Sequence, residues 1–536
     1  MPTRQRTTLL LLVLAAMSLV AAKTEEDINT LKPDDYDTYV VPDERAALAE
    51  LRRIHAMLVV APTGHITYVG LCKEAIAYTD ALDLNFLSAL GNLEILSISH
   101  TPVTVHGMDG LVKLKRLTEL SLLGSWVRDE HMAIVGKLRQ LRQFSFEPCN
   151  VSDAGIAQIE NLHGLERLYL YGPGTKDVIL SHISHLDKLS TLVLSGTKVS
   201  DAGLKSIEGL VNLEYIELPE HTTDAGFEHL QKLVKIRHLK PLDKITDHGL
   251  AFLRNMTEIE ELEVGGASDE GLRHLQRMTK LQTLKIGGNK VTDAGLQHLQ
   301  GMTKLQTLSL FGHGFTDAGL QCLQRMRELQ TLWLCGNGVT DAGLEYLQGL
   351  TELRSLKLDH NKFADGGLKY LHTLTKLENL DLSLTNVTDK GIPALLPLRK
   401  LRGLNLNHCA ITDKATETLA EMTSLSKLLL QNTEIGDAGL ARLAELKNLD
   451  LIWLGSTKVT DAGLVHLSCL PKLRRVLLEN DYISDAAIAN LQRLTTLEEL
   501  GIEGTDITLA GCVRLRQALP NTTIRWNRRI HDPNAD

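Results

Sequence analysis

Residues 291–314 read VTDAGLQHLQGMTKLQTLSLFGHG, residues 315–338 read FTDAGLQCLQRMRELQTLWLCGNG, and residues 339–362 read VTDAGLEYLQGLTELRSLKLDHNK. The three stretches are one phrase written three times. Within the first, Leu296, Leu299 and Met302 recur at i, i+3 and i+6, which suits one or two turns of α- or 3₁₀-helix with a single buried stripe. Thr292 or Asp293 supplies a side-chain oxygen to cap the free N–H groups of that helix. Leu305, Leu308 and Leu310 follow as L-x-x-L-x-L, whose last part alternates as a short strand does. Gly312 and residues of the Asn289 kind then turn the chain back.

Outward from this block, the aspartate of the phrase recurs from Asp129 to Asp485 at a spacing of 24, broken only by 23, 23 and 22 between Asp201 and Asp269. A unit of this size cannot bury both of its apolar stripes alone. Stacking against the units above and below gives a continuous core. The strands then form a parallel sheet on the inner face, and the wider helices curve the stack. Eighteen strand centres can be placed from Ile98 to Ile502, with Leu71 and Ile524 adding a cap strand at each end. The units around Pro219 and Pro241 are short. Proline removes a ladder donor there, which predicts a kink or an irregular strand.

The pattern L-x-x-L-x-L-x-x-(N/T/C/H)-x-(V/I/F), running from about Ile66 to Trp526, resembles the leucine-rich-repeat family with the ribonuclease-inhibitor-like horseshoe. The V-T-D-A-G-L phrase is similar to that of exported bacterial proteins of this family. The resemblance implies an α/β fold, a right-handed solenoid with a parallel β-sheet on the concave face and short helices on the convex face. It also implies that Asn337, Asn361, Thr385, Cys409, Thr433 and Thr457 stand where the family has an internal asparagine ladder tying the turns of successive repeats. It says much about the fold and little about the ligand.

The ends have a different grammar. Arg4 and Arg6 precede an uncharged run from Leu9 to Ala22 that ends Val20-Ala21-Ala22. A basic start, a short apolar core and small residues at the end read as a signal peptide over residues 1–22. The run is too short for the ~20 residues that span a bilayer, so the chain left after cleavage has no membrane span. Residues 23–41 are acidic and read as a linker. Residues 42–71 are expected to form an N-terminal cap of one helix, with Ala46, Leu48, Leu51, Ile54 and Leu58 as its stripe, plus one strand. Repeats fill residues 72–508. Residues 509–526 close the other end through Cys512, Leu515, Leu519, Ile524 and Trp526, and residues 527–536 are a tail.

The chain has 536 residues, more than one ordinary core can hold, and a formal net charge of −9 that argues against a nucleic-acid partner. Its seven cysteines are dispersed, odd in number and without CxxC spacing, so neither a disulfide framework nor a zinc site is supported. HExxH, GxSxG and the kinase signatures are absent. Gly172-Pro173-Gly174-Thr175-Lys176 has the flavour of a phosphate loop but lacks its four-residue spacer. His274, His298 and Cys322 share one helix position in successive units, and read more simply as solvated outer-face residues than as a metal column, because helix spacing holds them apart. The aspartate column reads as helix caps before calcium ligands. No metal, no cofactor and no catalytic residue is therefore expected.

Residues that flank the buried leucines of a strand point out of the sheet. Large apolar groups are few there: Tyr169, Tyr171, Phe311, Trp333, Leu429, Trp453 and Leu477. Phe311 and Trp333 fall on neighbouring strands, with Lys357, Asp359 and Asp381 on the next two. An aromatic pair rimmed by charge is the composition of an interface hot spot. In the family the inner sheet commonly binds ligands, so Phe311, Trp333, Lys357, Asp359, Asp381, Tyr169, Tyr171 and Trp453 are the candidate binding residues.

The reading is a non-catalytic protein-binding module, exported to the periplasm, the cell surface or the medium, as monomer or dimer. A cell-wall polysaccharide is the lesser ligand. Two rivals stand beside it. A substrate-recognition subunit of a ubiquitin-ligase-like complex would need an adaptor-binding domain that residues 23–65 are too short to supply. A self-associating envelope or adhesion protein differs from the first reading only in oligomeric state.

Overall fold

A computed structural model describes residues 40–72, 81–124, 126–240, 244–287, 290–311, 314–336 and 338–527. The expected signal peptide, all but the last two residues of the linker, Asn337, Pro241 and the tail from residue 528 lie outside the described residues. The chain divides into two compact units at Pro219, inside the stretch of short repeats.

The first unit carries β1 (Met57–Val60), β2 (Ile66–Cys72), β3 (Ile95–Ser99), β4 (Glu119–Leu123), β5 (Gln143–Phe146), β6 (Arg167–Leu170), β7 (Thr191–Val193) and β8 (Tyr215–Glu217). β1 and β2 form an antiparallel hairpin, and each strand from β2 to β8 pairs in parallel with the next. The second unit carries β9 (His238–Lys240), β10 (Glu261–Val264), β11 (Thr283–Ile286), β12 (Thr307–Phe311), β13 (Thr331–Cys335), β14 (Ser355–Lys357) and β15 (Asn379–Asp381). It continues with β16 (Gly403–Asn405), β17 (Lys427–Leu429), β18 (Leu451–Trp453), β19 (Arg475–Leu477), β20 (Glu499–Gly501) and β21 (Thr523–Arg525). Every one of these pairs in parallel with its successor. Each unit is thus an α/β solenoid, with short α- or 3₁₀-helices between the strands.

The repeat at 315–338 shows how the phrase folds. A helix over Asp317–Leu320 tightens into a 3₁₀ stretch over Gln321–Arg325 before β13. Leu320, Leu323, Met326, Leu329, Leu332 and Leu334 are all completely buried. Burying each such side chain is worth roughly 1.5–3 kcal/mol, and the sum over repeats carries the fold without a central core.

The aspartate column does something other than cap its own helix. Asp293 is the first residue of its helix, and its carboxylate reaches forward to the next repeat, accepting from Thr316 N at 2.7 Å and Thr316 Oγ1 at 2.8 Å. Asp269 holds Thr292 in the same way, and Asp365 holds Thr388. The threonine hydroxyl then accepts from its own helix, as Thr292 does from Ala294 N at 3.3 Å. The glycine that stands two residues after most of these aspartates makes room for the carboxylate of the preceding repeat. A Cβ on Gly319 would lie 2.5 Å from Asp293 Oδ1. T-D-x-G is therefore an inter-repeat clamp, in which aspartate grips the threonine and clears the glycine of the following unit. Among the last of these, Asp485 is pushed up by burial, but the Thr508 amide and hydroxyl outweigh that and hold its carboxyl below the ordinary range.

Four units depart from the phrase, with His131, Ile179, Ala415 and Ala487 in the place of its glycine, and the first of them puts a titratable group there. The buried ring of His131 accepts from Arg128 N at 3.1 Å and bonds the Val103 carbonyl at 3.0 Å. Burial holds the His131 pKa below 6.5. The folded state therefore takes up its proton later than the unfolded chain, so stability present above pH 6.5 is lost as pH falls through that range. A His131→Gln variant should show a smaller loss of melting temperature between pH 7 and pH 5 than wild type.

The turn after many strands needs one residue in the left-handed region. Gly172, Gly196 and Gly336 supply it, but His360, Leu384 and His408 hold the same place at φ +57°, +56° and +57°. Leu384 is 40% exposed, so its side chain gains little burial to offset the strain. Leu384→Gly should stabilise the protein by about 0.5–1 kcal/mol, measured as a rise in melting temperature, with loss of stability as the contrary result.

The asparagine ladder implied by the resemblance is carried by Asn361, whose Nδ2 donates to the Leu334 carbonyl of the preceding repeat at 2.6 Å while Val339 N donates to its Oδ1 at 3.2 Å. Cys409 also reaches back, to the Leu382 carbonyl at 3.2 Å. Thr385 and Thr433 close their own turns, each donating to the carbonyl three residues earlier at 2.6 Å, and Thr385 Oγ1 also meets Cys409 Sγ of the next repeat at 3.7 Å. A hydroxyl is too short to make the amide's two-sided bridge.

At the amino end a helix over Arg45–Arg53 buries Ala47, Leu48 and Leu51, and its two capping residues, Glu44 and Ile54, are buried as well. Ala46 is exposed, because the stripe begins at Glu44, not at Ala46. Glu44 is held by Ile66 N at 2.7 Å and His65 Nδ1 at 3.0 Å. The strand Met57–Val60 is a second cap strand beyond the one read from sequence. At the other end a helix over Leu509–Ala518 buries Cys512 and Leu515, and Trp526 Nε1 donates to the Ile507 carbonyl at 2.9 Å.

Candidate functional site

In the second unit, strand register lines up one outward column: Ser309, Trp333, Lys357, Asp381, Asn405, Leu429, Trp453 and Leu477. Two residues further along their strands, Phe311 and Cys335 form the start of a second. Phe311 meets Trp333 edge to face with ring centres 5.9 Å apart, and Lys357 Nζ lies 4.1 Å from the indole centre. The cation on the ring adds about 0.5–1 kcal/mol of attraction at such a site. Phe311 remains 38% exposed. Trp333 Nε1 and the fully buried Ser309 Oγ find no hydrogen-bond partner among the described residues.

Charge borders this stack on one side. Burial and then the Asp359 carboxylate push the Cys335 thiol well above its ordinary range, so it stays protonated and is no nucleophile. Asp381 accepts from Ser383 N at 3.0 Å and Ser383 Oγ at 2.6 Å. The network continues through Asn405 Nδ2 to Ser383 Oγ and through Gln431 N to Asn407 Oδ1. Structure thus brings Phe311, Trp333, Lys357, Asp359 and Asp381 onto four consecutive strands. Ser383, Asn407 and Gln431 extend them and were not singled out from sequence. Polar residues past the strand end have no periodic signal separating a contact surface from a turn.

Trp453 lies five strands from Trp333, roughly 24 Å at the usual strand spacing. It is flanked in register by Leu429 and Leu477, and its Nε1 donates to Glu479 Oε2 at 2.9 Å. Tyr169 and Tyr171 belong to the first unit. Burial raises both phenols, and the charges that reach Tyr171 include Tyr169, Glu217 and Tyr215. Tyr215 is the member of this cluster that sequence reading missed, since it occupies a strand position held in most other repeats by a polar or charged residue.

The other chemical readings resolve into structure. Gly172 takes φ +76°, and a Cβ on Gly174 would strike the Pro148 and Cys149 backbone. The phosphate-loop flavour is thus that of a tight turn against the preceding repeat. Beside it a groove of about 520 Å³ is lined by Asp153, Lys176, Asp177, Val178 and Lys198, with acid and base in equal number. Cys322 is buried rather than solvated, donates to the Gly319 carbonyl at 3.1 Å, and has its thiol pushed up to about 12 chiefly by burial. Among the described residues no three His, Cys, Asp or Glu side chains converge as metal ligands. No described helix is long and apolar enough to cross a membrane.

Comparison with known proteins adds the following. A model described as a leucine-rich repeat region matches residues 95–335, and one described as a leucine-rich repeat matches residues 350–371, 373–396 and 398–420. No curated protein sequence matches the chain. Among solved structures, an internalin from Listeria monocytogenes is similar at 25% identity, over 60% of this chain and 87% of that one, with a TM-score of 0.49. A plant peptide hormone receptor, RGFR1 in complex with RGF2, is similar at 14% identity over 88% and 94%, TM-score 0.42. A leucine-rich-repeat protein of Leptospira interrogans is similar at 19% identity over 83% and 93%, TM-score 0.35.

Proposed function

The chain belongs to the leucine-rich-repeat family, and from that premise we propose that it is a non-catalytic protein-binding module, exported from the cytoplasm, whose ligand docks on the open face of β12 to β16. The observation that carries this is the Phe311–Trp333–Lys357 stack, an apolar group left 38% exposed on a face otherwise lined by small and charged residues. Rigid aromatics ordered by their neighbours lose little entropy on contact, and the Lys357, Asp359 and Asp381 charges set the register of a partner. Trp453 between Leu429 and Leu477, and the Tyr169–Tyr171 cluster of the first unit, are secondary contact points on the same kind of face. Export places the protein in the periplasm, on the cell surface or in the medium.

The test is affinity capture with residues 23–536 beside the Phe311→Ala/Trp333→Ala variant, with partners identified by mass spectrometry. A protein retained by wild type and lost by the variant supports the site. A partner retained equally by both overturns it, and recovery of the chain alone favours the self-associating reading.

A further inference from the structure

The inward turn position that holds Asn361, Thr385, Cys409, Thr433 and Thr457 at a spacing of 24 holds an acid, Asp481, in the next repeat and Thr505 in the one after. The position asks for a donor. Asn361 Nδ2 donates to the carbonyls of Leu334, Leu358 and Asp359 at 2.6, 3.0 and 3.3 Å. Thr385, Thr433 and Thr505 each donate to the carbonyl three residues back. An ionised carboxylate has only acceptors.

Asp481 is fully buried. Its Oδ1 accepts from Thr457 N at 2.7 Å and from Thr457 Oγ1 at 3.3 Å. Its Oδ2 is buried and finds no partner among the described residues. No cation answers it there either. Glu479 on the same turn and Glu503 and Asp506 on the next are acids. Arg525 is engaged by Glu479 at 3.2 Å, Glu499 at 3.2 Å and Glu503 at 3.5 Å, and Lys458, beside Thr457, pairs with Glu434. A bare buried charge with one oxygen unsatisfied is costly, and the group escapes that cost by keeping its proton.

We propose that Asp481 is carried as the neutral acid, its Oδ2 proton donated to a backbone carbonyl of the turn in the manner of Asn361 Nδ2, so that this one proton acts as a pH-sensitive latch on the last repeats. Burial, opposed by the two Thr457 donors and reinforced by Glu479, pushes the carboxyl up to about 7 from an ordinary 3.8. A raised acid binds its proton more tightly in the folded chain. Its contribution is full below pH 3.8, is lost as pH rises through 7, and amounts to about a thousandfold in the folding equilibrium across that window. The loss falls where the Thr457 turn meets the Asp481 turn, next to the Trp453–Glu479 contact.

Asp481→Asn supplies the donor permanently in the same volume. The melting temperature of this variant should exceed that of wild type by a margin that is small at pH 4, grows as pH rises, and reaches its full size by pH 8. Infrared spectra of wild type alone at pH 6, where exposed carboxylates are ionised, should keep a protonated-carboxyl band that fades by pH 8.5. An offset between the two proteins that is constant with pH, or a wild-type spectrum without that band, overturns the proposal.

Discussion

Gly319→Ala should lower the stability of the second unit by about 1–3 kcal/mol, the usual cost of forcing a methyl into a packed site. The new Cβ would sit 2.5 Å from Asp293 Oδ1 and 2.9 Å from Leu296 Cδ1. The aspartate must shift to admit it and strain its bonds to Thr316 N and Thr316 Oγ1, although at Ala415 and Ala487 the equivalent clamps of Asp389 on Thr412 and of Asp461 on Ser484 persist. Asp293→Ala alone should also destabilise, since a threonine amide and hydroxyl lose their acceptor. The double variant should cost clearly less than the two singles added, because removing the carboxylate also removes what the new methyl strikes. Chemical denaturation of the four proteins completes the cycle. Strict additivity would show that the glycine is not there for the aspartate.

Loss of the aromatic stack should have a large effect of a different kind. For a protein partner captured by the wild type, Trp333→Ala should weaken affinity by about 2–4 kcal/mol, roughly 30-fold to a thousandfold, as truncation of a central tryptophan anchor does. Removing the indole takes away the partner of both Phe311 and Lys357, while the backbone ladder to β12 and β14 stays intact. Folding should therefore change much less than binding. Calorimetric titration with the purified partner, beside a thermal melt of the same variant, separates the two. Unchanged affinity in a folded variant would remove Trp333 from the binding surface. Trp453→Ala, which removes a secondary contact on the same face and leaves Glu479 without its indole donor, should weaken affinity less than Trp333→Ala.

How much of this was legible beforehand differs from residue to residue. The alternation of Leu332 and Leu334 around Trp333 marks a strand and the side each residue faces, because backbone geometry alone alternates side chains. Neighbourhood of Phe311, Trp333 and Lys357 follows from the 24-residue period, since equal repeats put equal positions side by side. That the indole lies edge-on to the phenyl ring under a lysine does not follow, because rotamers are chosen by packing. Ala46 illustrates the same limit at the cap. Periodicity allowed it in the stripe, but the buried face begins at Glu44, whose carboxylate is held by a strand more than twenty residues away.

The repeat phrase by itself determined the α/β solenoid and its strand positions, since spacing and residue type are local properties that survive any detail of packing. Only tertiary structure decided what the polar columns do. Aspartate, glycine and threonine look like one helix start when read along the chain, yet they belong to two successive repeats clasping each other. Asp481 looks like one more turn residue, yet burial without a cation leaves its carboxyl to keep a proton. A hydrogen bond or a desolvated charge depends on what lies a few ångströms away in space, and stacking brings there residues that the chain holds a full repeat apart.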